Sequence, residues 1–250
     1  MSLQLAKLSA RDAKTALSSR VLVIPLGSTE QHGPHLPLAT DTTITSKITQ
    51  SLIDLRPDQA IIAPMIPFGC SGEHSMIPGT LSVSAQALEF YLVELVRSSE
   101  ANQAIAIVSA HGGNAVPLLN AHRILQSEGR KIMAWIPTVD ALISAAERHQ
   151  APLSFRGLWQ PDLHAGRTET SIMLALDPTS VNLQAARAGA LEDPAKLIEM
   201  MKVGGIGAVS KNGVIGDPTG ASVEEGLLIL SAFAEDLLTK FDKFYQKVSF

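Results

Sequence analysis

The chain has 250 residues, 46% of them hydrophobic and 18% charged, with 20 Lys and Arg against 24 Asp and Glu for a net charge of −4. The basic residues are scattered and the balance is slightly acidic, which excludes a polyanion-binding surface and hence nucleic acid as an expected partner. Cys70 is the single cysteine, so neither an internal disulfide nor a thiolate metal cage is expected.

No run reaches the ~18 consecutive apolar residues of a membrane span, and residues 1–20 lack the apolar core of a signal peptide. No membrane partner is expected, and the reducing cytoplasm is the expected compartment. A mean hydropathy of +0.18 is high for a soluble domain, which points to surface buried between copies, a homo-oligomer. No linker or repeat interrupts the chain, so one domain over 1–250 is expected.

In chain order, residues 21–26 form a short branched apolar run ended by Gly27, as a buried strand does. Residues 41–55 place Ile44, Ile48, Leu52 and Leu55 at helical spacing, with Pro57 as a stop. A second strand is expected over 60–66, then a loop holding Gly69, Gly72 and Gly79, then a helix over 84–98 with Leu88, Leu92, Leu95 and Val96 on one side. Strands over 104–109 and 132–136 enclose a helix over 117–128. A helix over 168–176, a glycine-rich segment over 204–220 and a last helix from 223 to about 241 complete the chain. Strands alternating with helices give an α/β fold, a mostly parallel sheet covered by helices on both faces. Ligands gather beyond the carboxyl ends of such strands.

Two polar clusters fall at those ends. The first is Gly27-Ser28-Thr29-Glu30-Gln31-His32-Gly33-Pro34-His35-Leu36-Pro37, followed by Asp41. Glycine and proline make it a shaped turn in which side chains can converge. Imidazole nitrogens and carboxylate oxygens are what Zn²⁺, Fe²⁺ or Mn²⁺ accept, and a carboxylate can bridge two ions. The second is His111 with Gly112 and Gly113, where backbone can approach a ligand. A third cluster, Asp162-Leu163-His164-Ala165-Gly166-Arg167-Thr168-Glu169, puts Glu169 in the first turn of a helix. It reads either as a proton shuttle (His164) beside a metal ligand (Glu169) or as an ordinary Asp or Thr cap with an N-terminal Glu. His122 and His149 read as surface residues, and Cys70, without a local base, as a small buried one.

These three segments, in this order, resemble the creatininase (creatinine amidohydrolase) family. The resemblance implies an α/β creatininase-like fold, two divalent ions per chain and hydrolysis of an amide C–N bond by a metal-bound hydroxide. It also implies assembly as a hexamer. Carried over, Glu30, Asp41 and His111 hold one ion, and His32 shares Asp41 to hold the other. Creatinine-cleaving members place an aromatic residue and then a metal-binding glutamate where this chain has Gly112 and Gly113. The second ion must then draw its carboxylate from elsewhere, and Glu169 is the candidate.

Ser71-Gly72-Glu73-His74, Pro78-Gly79-Thr80 and the glycine-rich segments at 204–210 and 212–219 resemble the mycofactocin-system peptidase subfamily, which trims a ribosomal precursor peptide. On this reading His164 and Glu169 take part in catalysis, while Ser71, His74, Asn114 and Trp159, the last on a lid, contact substrate. The substrate is a peptide or a small amide. The alternatives are a creatinine or formamide hydrolase on the same scaffold, or a non-catalytic metal-binding subunit.

Overall fold

Each of the four apolar runs forms a strand in the computed structural model, which describes residues 3–248. Met1, Ser2, Ser249 and Phe250, the ends of the expected domain, lie outside the described residues. The strands are β1 (Val21–Pro25), β2 (Ala60–Ile62), β3 (Ile105–Val108) and β4 (Ile132–Trp135). All neighbours pair in parallel, in the order β2-β1-β3-β4, with Leu22 opposite Ile105 and Ile107 opposite Ala134.

Successive side chains point to opposite faces of a strand, and both faces of this sheet are buried. Val21, Val23, Ala60, Ala106, Val108 and Trp135 enter one core. Leu22, Ile24, Ile61, Ile105, Ile107 and Ile132 enter the other. Burial on both sides is why the runs are continuously apolar rather than alternating.

Helices α1 (Ala10–Leu17), α3 (Ala85–Arg97) and α4 (Ala115–Ser127) cover the second core. The first is covered by α2 (Thr40–Leu55), α5 (Val139–Arg148), α6 (Arg156–Trp159), α7 (Arg167–Leu176) and α9 (Val223–Lys247). Ser9, Ser84, Thr138 and Ser222 accept backbone N–H bonds at the starts of α1, α3, α5 and α9, which satisfies donors the helices leave open. α8 (Pro194–Gly204) stands apart, burying Leu197 in a small cluster with Ala190, Ile206 and Ile215. α7 and α9 approach so closely that a Cβ added at Gly226 would lie 1.9 Å from Ser171 O. That contact seats the helix carrying Glu169.

Four differences from the sequence reading have physical causes. β2 stops at Ile62 rather than 66 because Pro64 has no N–H for the ladder, and Ile66 makes only an isolated bridge to Leu26. α5 escapes the reading because it buries small residues, Ala145 and Ala146, beside Leu142. α8 escapes it because only Leu197 of the helix is buried, so no apolar stripe marks it. α9 runs to Lys247, past Phe241, whose ring stacks on Tyr245. No helix among the described residues is long and apolar enough to cross a membrane.

From β1 the chain steps to β2 on one side and then crosses to β3 on the other. The strand order reverses at β1 and β3, and a crevice opens beyond their carboxyl ends.

Candidate metal centre

The loop after β1 and the turn after β3 meet in that crevice. Glu30 N bonds Leu38 O, which closes the Gly/Pro loop, and Thr42 Oγ1 donates to Ser28 O at 2.7 Å, which ties the loop to α2. Asp41 therefore projects from the first turn of α2 beside Glu30 and His32. His111 opens a short 3₁₀ turn, Gly112–Asn114. Asn114 locks that turn in place: its Nδ2 donates to Gly27 O and Ser109 Oγ, and its Oδ1 accepts from Cys70 N at 2.8 Å.

Glu169 arrives from the far side, in the first turn of α7. Asp162 caps this helix by accepting from Arg167 N and Thr168 N at 2.6 and 3.0 Å. The cap and the metal-site reading of this segment are thus compatible. Ala165 sits in the left-handed region at φ 51, uncommon for a residue with a Cβ. The bend directs its N–H to Glu169 Oε2 at 2.6 Å.

Asp41 lies between two imidazoles. Its Oδ2 is 3.1 Å from His111 Nδ1 and its Oδ1 is 3.7 Å from His32 Nε2. Glu30 Oε2 is 3.4 Å from His111 Nε2, and Glu169 Oε2 is 3.7 Å from His32 Nε2. Ligand atoms of Glu30, Asp41 and His111 lie within 4.8 Å of one another, as do those of His32, His164 and Glu169, and those of Glu30, His74 and His164.

Three of the histidines donate one ring N–H to a backbone carbonyl. His32 Nδ1 bonds Glu30 O at 3.1 Å, His111 Nε2 bonds Cys70 O at 2.9 Å, and His164 Nε2 bonds Gln31 O at 2.8 Å. Such bonds fix the ring so that the other nitrogen faces inward, the arrangement of metal-binding histidines.

The centre fits a divalent ion on its own geometry. Glu30 Oε1, His32 Nε2 and Asp41 Oδ2 are buried without a hydrogen-bond partner. Leaving such atoms unpaired costs roughly 1–3 kcal/mol each, and a cation supplies the missing partner for all three.

The protonation pattern carries the same signature. Burial opposes charge on Asp41, yet His111 and His32 outweigh it and hold the carboxyl well below its usual range. Burial likewise opposes charge on His111, but Asp41 and Glu30 raise it to about 10. His32 is raised well above the ordinary imidazole value by Asp41 and Glu169 against the same penalty. Burial raises Glu30 to about 7 despite His111. Without metal, then, protons occupy the inward nitrogens of His32 and His111.

A cleft of about 540 Å³ opens over the centre, with Val116, Leu163, Ile198 and Met201 on its walls and His74, His111, His164 and Glu169 at its base. His74 is 4% exposed and faces Glu30 Oε1 at 3.7 Å. Ser71, fully buried, joins Ser28 Oγ at 2.7 Å and His111 Nε2 at 3.3 Å, so it supports the ligands from behind. Asn114, as described, has both ends of its amide on the loops. Trp159 does not line the cleft; it packs on the core and donates Nε1–H to Pro152 O at 3.2 Å.

Burial raises the Cys70 thiol, which suits an inert residue whose backbone carbonyl matters. His149 pairs on the surface with Glu235 at 3.1 Å. Sequence reasoning missed Gln31, whose amide and carbonyl reach His74, His164 and Gly213. A glutamine between two ligands gives no signal, because its partners are distant in the chain.

A family profile described as "Creatininase: Creatinine amidohydrolase" matches residues 6–241. The mycofactocin precursor peptide peptidase of Mycobacterium tuberculosis (strain CDC 1551 / Oshkosh) is 37% identical over 241 residues, covering 93% of this chain and 88% of that protein. The solved structure "Creatininase Mn" superposes with a TM-score of 0.77 at 20% identity, covering 98% of this chain and 99% of that one. A mutant creatininase of "Zn-Zn type" gives 0.76 at 20% identity, with 98% and 99% covered. The structures show a shared fold, and the profile with the 37% identical relative shows the lineage. The chain belongs to the creatininase family of metal-dependent amidohydrolases.

Proposed function

We propose that this amidohydrolase is a peptidase that cuts an amide bond in a precursor peptide of the mycofactocin kind. The observation that carries this reading is the glycine floor of the cleft. A Cβ placed at Gly112 meets nothing within 4 Å, so the floor there is bare backbone open to the cleft. A Cβ at Gly113 would fall 2.2 Å from Cys70 O, so this turn has no room for a side chain there. An extended peptide can lie along such a floor, whereas nothing at this point closes over a small ring. The 37% identical relative named as a precursor peptide peptidase supports the same reading.

Glu30, Asp41 and His111 would hold one divalent ion, and His32, Asp41 and Glu169 the other, Asp41 having one oxygen toward His111 and one toward His32. Zinc, manganese and iron all suit this mixed nitrogen and oxygen set, and the first two are named for solved creatininases. Bound ions supply Lewis acidity and a nucleophilic water at neutral pH.

His164 is the acid–base group. Burial holds it well below the ordinary imidazole value, which keeps the ring neutral and able to accept a proton, and its Nδ1 stands 3.5 Å from Glu30 Oε1 at the base of the cleft. It takes a proton from the attacking water and returns it to the leaving amine. The protein acts as one domain, assembled as a homo-oligomer of the family's hexameric kind, in the cytoplasm.

The test is to incubate metal-loaded protein with a mycofactocin precursor peptide and, separately, with creatinine, and to identify products by mass spectrometry. Cleavage of the peptide at one bond with creatinine intact is expected. Creatinine hydrolysis with the peptide intact would replace this reading with a small-molecule amidohydrolase.

A further inference from the structure

Among the imidazoles at the base of the cleft, His74 is turned the opposite way. His111 and His164, and the fully buried His32 behind them, each give an N–H to a backbone carbonyl and so turn the other ring nitrogen inward. His74 Nδ1 instead meets the side-chain amide of Gln31 at 2.8 Å.

The orientation of that amide is forced by two backbone groups. Gly33 N–H can only donate, and it lies 2.9 Å from the atom that must therefore be Gln31 Oε1. Gly213 O can only accept, and it lies 3.0 Å from the atom that must be Nε2. The second hydrogen of Nε2 has two neighbours, His74 Nδ1 at 2.8 Å and His164 Nε2 at 3.0 Å, and His164 Nε2 already carries the proton it gives to Gln31 O. Gln31 thus donates to His74 Nδ1, which must carry a lone pair, so the proton of the neutral ring is on Nε2. That N–H enters the cleft 3.7 Å from Glu30 Oε1, on a ring whose centroid is 4.4 Å from that of His164. With a proton on Nε2 and Nδ1 engaged, His74 has no nitrogen free for a metal. The grouping of Glu30, His74 and His164 is therefore not an ion site, close as its atoms are.

We infer that His74 is a neutral hydrogen-bond donor to the carbonyl oxygen of the scissile amide, and that Gln31 is the positioning residue that sets its tautomer. Attack on an amide moves negative charge onto that oxygen. A fixed N–H aimed there from a water-poor wall strengthens as the charge develops and needs no reorganisation. A ring locked in one tautomer by a buried amide is such a donor. The role rests on the amide-hydrolase reading above, but the tautomer does not.

The test is ¹⁵N NMR of histidine-labelled, zinc-loaded protein, with kinetics and metal content of His74→Phe and His74→Gln. His74 should show Nε2 protonated and Nδ1 as an acceptor. His74→Phe should lower kcat by about 10²–10³-fold, with KM and bound metal unchanged. His74→Gln, whose amide N–H reaches toward the same point, should restore part of kcat. Protonation on Nδ1, loss of metal in His74→Phe, or an unchanged kcat would each overturn the inference. The spectrum and the metal content need no substrate, so they decide the tautomer even if the peptide is not cleaved. A failed peptide assay with the expected spectrum would count against the peptidase reading alone.

Discussion

Two clusters of buried charge lie at the start of α7, and they are built on opposite plans. In the first, Glu225 is fully buried, yet Oε1 accepts from Gly157 N at 2.6 Å and Oε2 from Arg167 Nε at 2.7 Å. Arg167 uses its remaining nitrogens on Thr219 O and Ser154 O, and Asp162 accepts from Arg167 N and Thr168 N. In the second, Glu30, His32 and Asp41 are equally buried, and each leaves an atom without a partner. Charges that hold a fold together find their partners in the chain. Charges kept open toward one another are arranged for something the chain does not contain.

The contrast is broken most strongly by Asp41→Ala. If Asp41 joins two ions, bound metal should fall for both and turnover should drop by on the order of 10⁴-fold or more. Elemental analysis beside a peptide assay checks this, and retention of both ions would refute the shared carboxylate.

Glu225→Ala attacks the other cluster. It strands Arg167 and should cost about 3–5 kcal/mol in urea unfolding, while the folded fraction keeps its metal. A small stability change with lost metal would reverse the roles assigned to the two clusters.

The mildest test sharpens the comparison rather than breaking it. His32 and His111 have raised values in the metal-free protein, so both carry a proton at neutral pH and must release it when a metal binds. Metal affinity should therefore rise with pH across the neutral range, about tenfold per pH unit for each proton released. Calorimetry in buffers of different ionisation enthalpy counts the protons, and a count of zero would contradict the pairing with Asp41.

Much of this was legible in the sequence, for reasons that differ by residue. Continuous branched runs such as 105–108 announce strands buried on both faces, and their ends announce where polar groups gather. Glu30, His32, Asp41 and His111 lie at those ends, so the strand rule and the residue chemistry point to one place. Glu169 is ambiguous because a helix-capping pattern and a ligand pattern share the same residues, and in the structure Asp162 caps α7 while Glu169 turns toward His32. The direction of each imidazole was illegible. It depends on Glu30 O, Cys70 O, Gln31 O and the Gln31 amide, and all of these contacts but the first join residues far apart in the chain. α8 was illegible for the reverse reason, since a helix that buries one side chain leaves no periodic trace.

The ligand atoms reach from Glu30 to Glu169 and are carried by two strand-end loops and two helices. No short stretch of the unfolded chain holds this set, so on the proposed ligand assignment a cation would find its site only after the parallel sheet has paired and α7 has docked. Binding to the native state alone adds stability by mass action, about 2.7 kcal/mol when free ion stands at a hundred times its dissociation constant. Such an ion would couple the lifetime of this polypeptide to metal supply: starvation for it would thin the pool of folded chains as well as silence them.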